Sequence, residues 1–122
     1  MKHFETRDGA LYAEGVALER IAAEYGTPTF VYSRAALTEA HAAYAEALSG
    51  RDAMLCYAVK SNSNLAIMNV FARLGTGFDI VSGGELARVI AAGGEPAKVV
   101  FSGVGKTRDE MRAALTHGIY CF

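Results

Sequence analysis

The chain has 122 residues, 52% of them apolar and 20% charged, and its 12 Lys and Arg against 13 Asp and Glu leave a net charge of −1. Neither sign is clustered, so there is no basic stripe for nucleic acid and no basic helical face for a membrane surface, and neither partner is expected. No apolar run approaches the about eighteen residues that span a bilayer, and Met1-Lys2-His3-Phe4-Glu5 is not followed by the apolar core of a signal peptide, so a cytoplasmic location is expected.

Leu18, Ile21, Ala22 and Tyr25 recur at the spacing of one helix face, and Gly26 is a suitable stop. Thr27-Pro28 pushes the chain into an extended form, and Thr29-Phe30-Val31-Tyr32 reads as a short strand. Ser33 can cap the next helix, whose apolar face carries Leu37, Ala40, Tyr44, Ala47 and Leu48 and which Ser49-Gly50 ends.

A repeat then begins. Ala53 to Val59 reads as a strand; Ser63 or Asn64 caps a helix bearing Ile67, Val70, Phe71 and Leu74, closed by Gly75. Phe78 to Val81 is the next strand, and Ser82-Gly83-Gly84 leads into a helix with Leu86, Val89 and Ile90, ended by Gly93-Gly94. Lys98 to Phe101 is a third strand. Thr107 and Glu110 form a capping box for a helix burying Met111, Ala114 and Leu115, stopped by Gly118, and Ile119 to Phe122 begins a fourth strand.

The strands are continuous apolar runs rather than alternating ones, which predicts an α/β fold with a parallel sheet covered by helices on both faces. An open doubly wound sheet and a (β/α)₈ barrel both fit that pattern. A barrel takes eight strands and about 250 residues, so four strands make half of one and the chain reads as a piece of a longer protein.

Four features bear on chemistry. Gly103-Val104-Gly105-Lys106-Thr107 ends like a phosphate loop, but Val100 stands where that motif needs a glycine, and Arg108 stands where a dinucleotide fingerprint needs its third. A strand-to-helix loop with a capping box is the expected reading, with Lys106 still able to face a ligand. The Ser82-Gly83-Gly84-Glu85 turn has the backbone donors of an anion site, and is better explained as a tight turn with a capped helix. Asp79 sits inside an apolar strand, where an unpartnered carboxylate is costly; it is either a structural ion or a functional one. Lys60 ends a core strand, where such folds place their chemistry, and apolar walls favour its neutral, nucleophilic amine. A lysine that snorkels to solvent fits the same position equally well.

The two cysteines, Cys56 and Cys121, fall in predicted buried strands and are expected to be small core residues rather than a disulfide. His3 in the tail, His41 on a polar helix face and His117 in a last helical turn have no metal-ligand spacing, so no metal site is expected.

Four ordered segments together resemble a known family. Tyr57-Ala58-Val59-Lys60-Ser61-Asn62-Ser63-Asn64-Leu65-Ala66-Ile67 is similar to the cofactor-lysine segment of the fold-type III pyridoxal-phosphate decarboxylases, with Ser61 where alanine is common. Gly77-Phe78-Asp79-Ile80-Val81-Ser82-Gly83-Gly84-Glu85-Leu86 resembles their second-strand motif, Phe101-Ser102-Gly103-Val104-Gly105-Lys106-Thr107 the third, and Gly26-Thr27-Pro28-Thr29-Phe30-Val31-Tyr32 also fits. The Tyr-Gly-His-Gly-like continuation of the related alanine racemases is missing after Lys60.

The resemblance is strongest to the branch acting on meso-diaminopimelate. It implies the first half of a (β/α)₈ barrel over residues 33–122, and a segment, 1–32, that packs on a C-terminal β-domain. It also implies pyridoxal 5'-phosphate held as a Schiff base on Lys60, Asp79 in the charged network beside it, and Ala58 and Glu85 as supporting positions. The implied reaction is decarboxylation of meso-2,6-diaminopimelate to L-lysine and carbon dioxide by a cytoplasmic homodimer. The 122 residues alone are expected to be inactive, and an ornithine- or arginine-type decarboxylase or an amino-acid racemase is the alternative.

Overall fold

The structure is a computed structural model, and it describes residues 3–122. It divides into two compact units, 1–43 and 44–122.

The first unit opens with an antiparallel meander, β1 (Phe4–Arg7), β2 (Ala10–Ala13) and β3 (Val16–Ala17). Arg7 pairs with Ala10 around Asp8-Gly9, whose φ values of 50° and 82° suit a tight turn with both central residues left-handed. This corrects the reading of His3 as part of a tail: Asp8-Gly9 closes a hairpin directly after it, and His3 Nε2 lies 2.6 Å from Glu39 Oε2. Helix α1 (Leu18–Tyr25) follows and ends as expected at Gly26, φ 79°.

Thr29–Tyr32 is not a strand. Thr29 Oγ1 donates back to the Gly26 carbonyl at 2.7 Å, the segment finds no ladder partner among the described residues, and Phe30 is 88% exposed. Helix α2 (Arg34–Ala47) is capped by Ser33, whose Oγ accepts from the Ala36 amide at 3.0 Å. Glu14 reinforces the cap, accepting from Ser33 Oγ at 2.7 Å and the Ala35 amide at 2.9 Å, and these donors hold its carboxyl below the ordinary carboxylate range. The expected apolar face of α2 is largely uncovered: Leu37 is half-buried, while Ala40, Tyr44 and Ala47 are exposed.

The second unit is built on a parallel sheet in the order β4 (Cys56–Ala58), β5 (Gly77–Ile80), β6 (Val99–Phe101). Beyond β6 the expected fourth strand is reduced to one parallel bridge, Val100 to Cys121, with the Phe101 amide donating to the Cys121 carbonyl at 2.9 Å. Helices α3 (Leu65–Arg73), α4 (Gly83–Ala91) and α5 (Arg108–Thr116) connect the strands. Their caps are those read from the sequence. Asn64 accepts from the Ala66 amide, Ser82 from the Glu85 amide, and Thr107 with Glu110 completes the capping box.

Side chains alternate across a strand, and the register sorts them into two faces. Phe78, Ile80, Val99 and Phe101 lie on one face, fully buried with Val59, Met68 and Val89. The opposite face carries the row Ala58, Asp79, Val100 and Cys121, aligned by successive strand pairs. Ala58, Asp79 and Val100 are only half-buried and Cys121 is exposed, so the expectation that both faces are covered does not hold here. The same asymmetry corrects the cysteines: Cys56 and Cys121 are both free, and neither is in the core. Burial, together with the charge of Asp79, pushes the Cys56 thiol up, so it stays protonated at neutral pH.

Helix burial is narrower than the periodicity suggested. On α5 only Ala114 is fully buried, and its neighbour Leu115, about 100° further round the helix, is 68% exposed. Met111 and Leu74 are likewise on the exposed side, while Met68 is completely buried. Gly77 is required by close approach: a Cβ there would meet the Lys98 carbonyl oxygen at 2.6 Å and Cys56 Sγ at 2.9 Å.

Candidate functional site

The expected strand Ala53–Val59 is shorter than read, and this changes the setting of Lys60. Pairing runs only over Cys56–Ala58, and Val59–Ser61 then forms a 3₁₀ turn. Val59 is the buried anchor of that turn, and Lys60 beside it is exposed. Lys60 therefore still stands at the carboxyl end of β4, but on a turn and two residues past the last paired one. Its amine forms no hydrogen bond or ion pair with the described residues.

The turn is held from several sides. Ser61 Oγ donates to the Ala58 carbonyl at 2.6 Å, the Asn62 amide donates to the Val59 carbonyl at 3.1 Å, and the Tyr57 hydroxyl donates to the Asn62 carbonyl at 2.9 Å. The backbone carrying Lys60 is thus fixed while its side chain stays available.

Asp79 lies directly opposite Ala58 on the half-buried face. Its Oδ1 accepts from Ser102 Oγ at 2.5 Å. The cost of placing a carboxylate in an apolar strand is offset by this bond and by partial solvent access. Ser102, the first residue after β6, is a site residue that the sequence does not single out, because its link to Asp79 exists only across the strand pair. The structure brings Ala58 and Asp79 level, with Lys60 two residues beyond Ala58, and Asp79 and Lys60 form no ion pair.

Glu85 points elsewhere. Its Oε2 accepts from the Val81 amide at 2.7 Å, fixing the loop between β5 and α4. That bond also bears on the question of an anion site at the start of α4. The Val81 amide is taken by Glu85, the Gly83 amide by Glu110 Oε1 at 2.8 Å, and the Glu85 amide by Ser82 Oγ at 3.2 Å. Two of the four amides that recommended an anion, those of Gly83 and Glu85, are thus spent internally, which favours the capped-turn reading. Lys106 is spent as well: its amine donates to the carbonyls of Ser102 and Gly103 and lies 5.1 Å from the centre of the Phe101 ring.

The bond from Gly83 to Glu110 joins the first turns of α4 and α5, and with the Thr107 donors it holds the Glu110 carboxyl below its ordinary range. A lowered folded-state value means that this stabilisation is present above the unfolded carboxylate value and is lost as pH falls through the lowered one. Protection of the Gly83 amide against hydrogen exchange is expected to fall on acidification through that window. In Glu110→Ala, which removes the acceptor, the protection should already be low at neutral pH; unchanged protection there would contradict the assignment.

Three comparisons place this geometry among known proteins. Residues 34–122 match the family described as pyridoxal-dependent decarboxylase, pyridoxal binding domain. The whole chain is 65% identical to 29% of the diaminopimelate decarboxylase of Pseudomonas aeruginosa. A crystal structure from Aquifex aeolicus superposes on 97% of the chain, and the chain on 29% of it, with a TM-score of 0.92 and 44% identity. The diaminopimelate decarboxylase of M. jannaschii, solved with L-lysine, is 33% identical, with a TM-score of 0.90 over 96% of this chain and 28% of that one. The chain thus spans a little under a third of the length of the curated relatives it matches. On the family match and the parallel α/β architecture, the chain belongs to the pyridoxal-dependent decarboxylases, its residues 34–122 matching their pyridoxal-binding domain.

Proposed function

We propose that the complete protein carrying this chain decarboxylates meso-2,6-diaminopimelate to L-lysine and carbon dioxide, with pyridoxal 5'-phosphate attached to Lys60. The observation that carries this reading is the setting of Lys60: an unpartnered amine on a braced turn, at the carboxyl end of β4, next to the row that holds Asp79. A lysine suits the task because its amine can lose a proton, which an arginine cannot do. The relatives at 65% and 60% identity are named diaminopimelate decarboxylases, which supports the substrate.

The residues present fit the cofactor at its amine-reactive end. Lys60 Nζ has no competing partner, and Asp79 supplies a negative charge on the accessible face with one oxygen already oriented by Ser102. Pyridoxal phosphate, when bound, supplies an aldehyde that takes the lysine amine with loss of water, and a ring that accepts the electron pair left when carbon dioxide departs. Lys60 holds the cofactor. Asp79 belongs to the charged network beside it, and Ser102 keeps that carboxylate aimed. Ala58 leaves room between Asp79 and the Lys60 turn because its side chain is a single methyl. Glu85 acts from behind by fixing the Val81 amide. The phosphate is held by groups other than the Gly83 and Glu85 amides, which are occupied.

In this reading residues 33–122 form the first half of a (β/α)₈ barrel, and residues 1–32 pack on a C-terminal β-domain. The consecutive strand order β4-β5-β6 and the parallel bridge at Cys121 support a barrel, because each strand adds to the same growing edge. The protein works as a homodimer in the cytoplasm.

The test is carbon dioxide release from meso-diaminopimelate, ornithine and arginine by the complete protein, with and without added pyridoxal phosphate. Cofactor-dependent release from diaminopimelate, with L-lysine as product, is the expected result. Release from ornithine or arginine and none from diaminopimelate would overturn the substrate assignment.

A further inference from the structure

We infer that Tyr57 is a positioning residue for Lys60, acting through the turn that carries it; the inference rests on the assignment of Lys60 proposed above. The Lys60 amine has no internal partner, so its place is set by its backbone alone. That backbone leaves β4 at Ala58, turns through Val59–Ser61 and reaches Asn62 in extended form, with φ −165° and ψ 111°.

Tyr57 closes this path. Its hydroxyl donates to the Asn62 carbonyl at 2.9 Å, spanning from the residue three before Lys60 to the residue two after it. The phenol can act as a fixed post because its ring is clamped. It stacks on Phe71 of α3 with centroids 4.3 Å apart and meets the fully buried Phe78 of β5 edge-on at 6.3 Å. Asn62 in turn accepts from the Asn64 amide through Oδ1 at 3.0 Å, so the clasp passes directly into the cap of α3.

A phenylalanine at position 57 would keep the ring contacts and lose only the clasp. The Asn62 carbonyl would then need water, and the turn could sample conformations that misplace the amine. Preorganisation of a reacting group is where such a bond has its effect. The loss is that of one net hydrogen bond, which corresponds to about a three- to tenfold weaker equilibrium.

The experiment uses the complete protein stripped of cofactor, with pyridoxal phosphate as the probe. Covalent uptake is titrated by absorbance, and the adduct is fixed with borohydride and located by peptide mass. Tyr57→Phe is compared with Phe71→Leu, which removes the stacking partner and keeps the hydroxyl bond. Thermal midpoints of both are recorded without cofactor.

Tyr57→Phe should take up the cofactor at Lys60 about three- to tenfold more weakly while losing little thermal stability. Phe71→Leu should show the larger fall in midpoint with the smaller loss of uptake, because the hydroxyl bond and the edge contact with Phe78 remain. Equal uptake by Tyr57→Phe and the unsubstituted protein, or uptake that simply follows the midpoints, would overturn the positioning role. An adduct on another lysine in the unsubstituted protein would overturn the Lys60 assignment itself, and this inference with it.

Discussion

Lys60→Ala in the complete protein should lose the absorbance of the lysine-bound cofactor, and its decarboxylase rate should fall by a factor on the order of 10⁴ or more. The same substitution should leave the fold almost untouched. Lys60 is exposed and unpartnered, and replacing such a residue usually changes stability by no more than about 0.5 kcal/mol. The comparison of thermal midpoints must be made without added pyridoxal phosphate, because a ligand that binds only the folded protein raises the midpoint by itself. Lys60→Arg sharpens the test. It keeps the positive charge and the long stem, but its guanidinium stays protonated and cannot take the place of a free amine. Arginine should therefore be as inactive as alanine. Retention of the cofactor absorbance in either variant would clear Lys60 of the role.

The features that could be read in advance are those where local chemistry and tertiary packing agree. Ser33, Asn64, Ser82 and Thr107 cap the helices they were expected to cap, because an N-cap needs only one oxygen and the first helical amides. Gly26 and Gly75 end their helices with φ near 80° for equally local reasons. The strands were overextended at Ala53–Leu55 and at Lys98, since an apolar run records burial and says little about where pairing stops. Thr29–Tyr32 failed as a strand because a strand is defined by a neighbour.

The site shows the same division. Lys60 and Asp79 were visible as charges at the end of, or inside, apolar runs. Ser102, Tyr57 and the link from Glu110 to Gly83 join residues 5 to 27 positions apart, and no periodicity carries such pairs. Both cysteines were misplaced for a related reason: an apolar strand does not say which of its two faces the helices cover.

Those two faces also set the largest expected loss of stability. Phe78→Ala should destabilise the second unit by about 3–5 kcal/mol, against a total of about 5–15 kcal/mol for a typical domain. Phe78 is fully buried at the centre of the middle strand, and its ring meets Tyr57 edge-on. Its far edge lies so close to the Gly94 backbone that a Cβ on Gly94 would sit 2.8 Å from Cε2. A cavity there cannot close cheaply, because the sheet fixes one side and α4 the other. Ile80→Val, two residues along on the same buried face, removes one methylene and should cost only about 0.5–1.5 kcal/mol. Denaturant midpoints of the two variants should fall in that order, and a larger loss for Ile80→Val would contradict the packing described. Asp79 lies between them on the opposite face. A defect at Phe78 should thus reduce activity in proportion to the protein unfolded, whereas Lys60→Ala should abolish activity in a protein that remains folded.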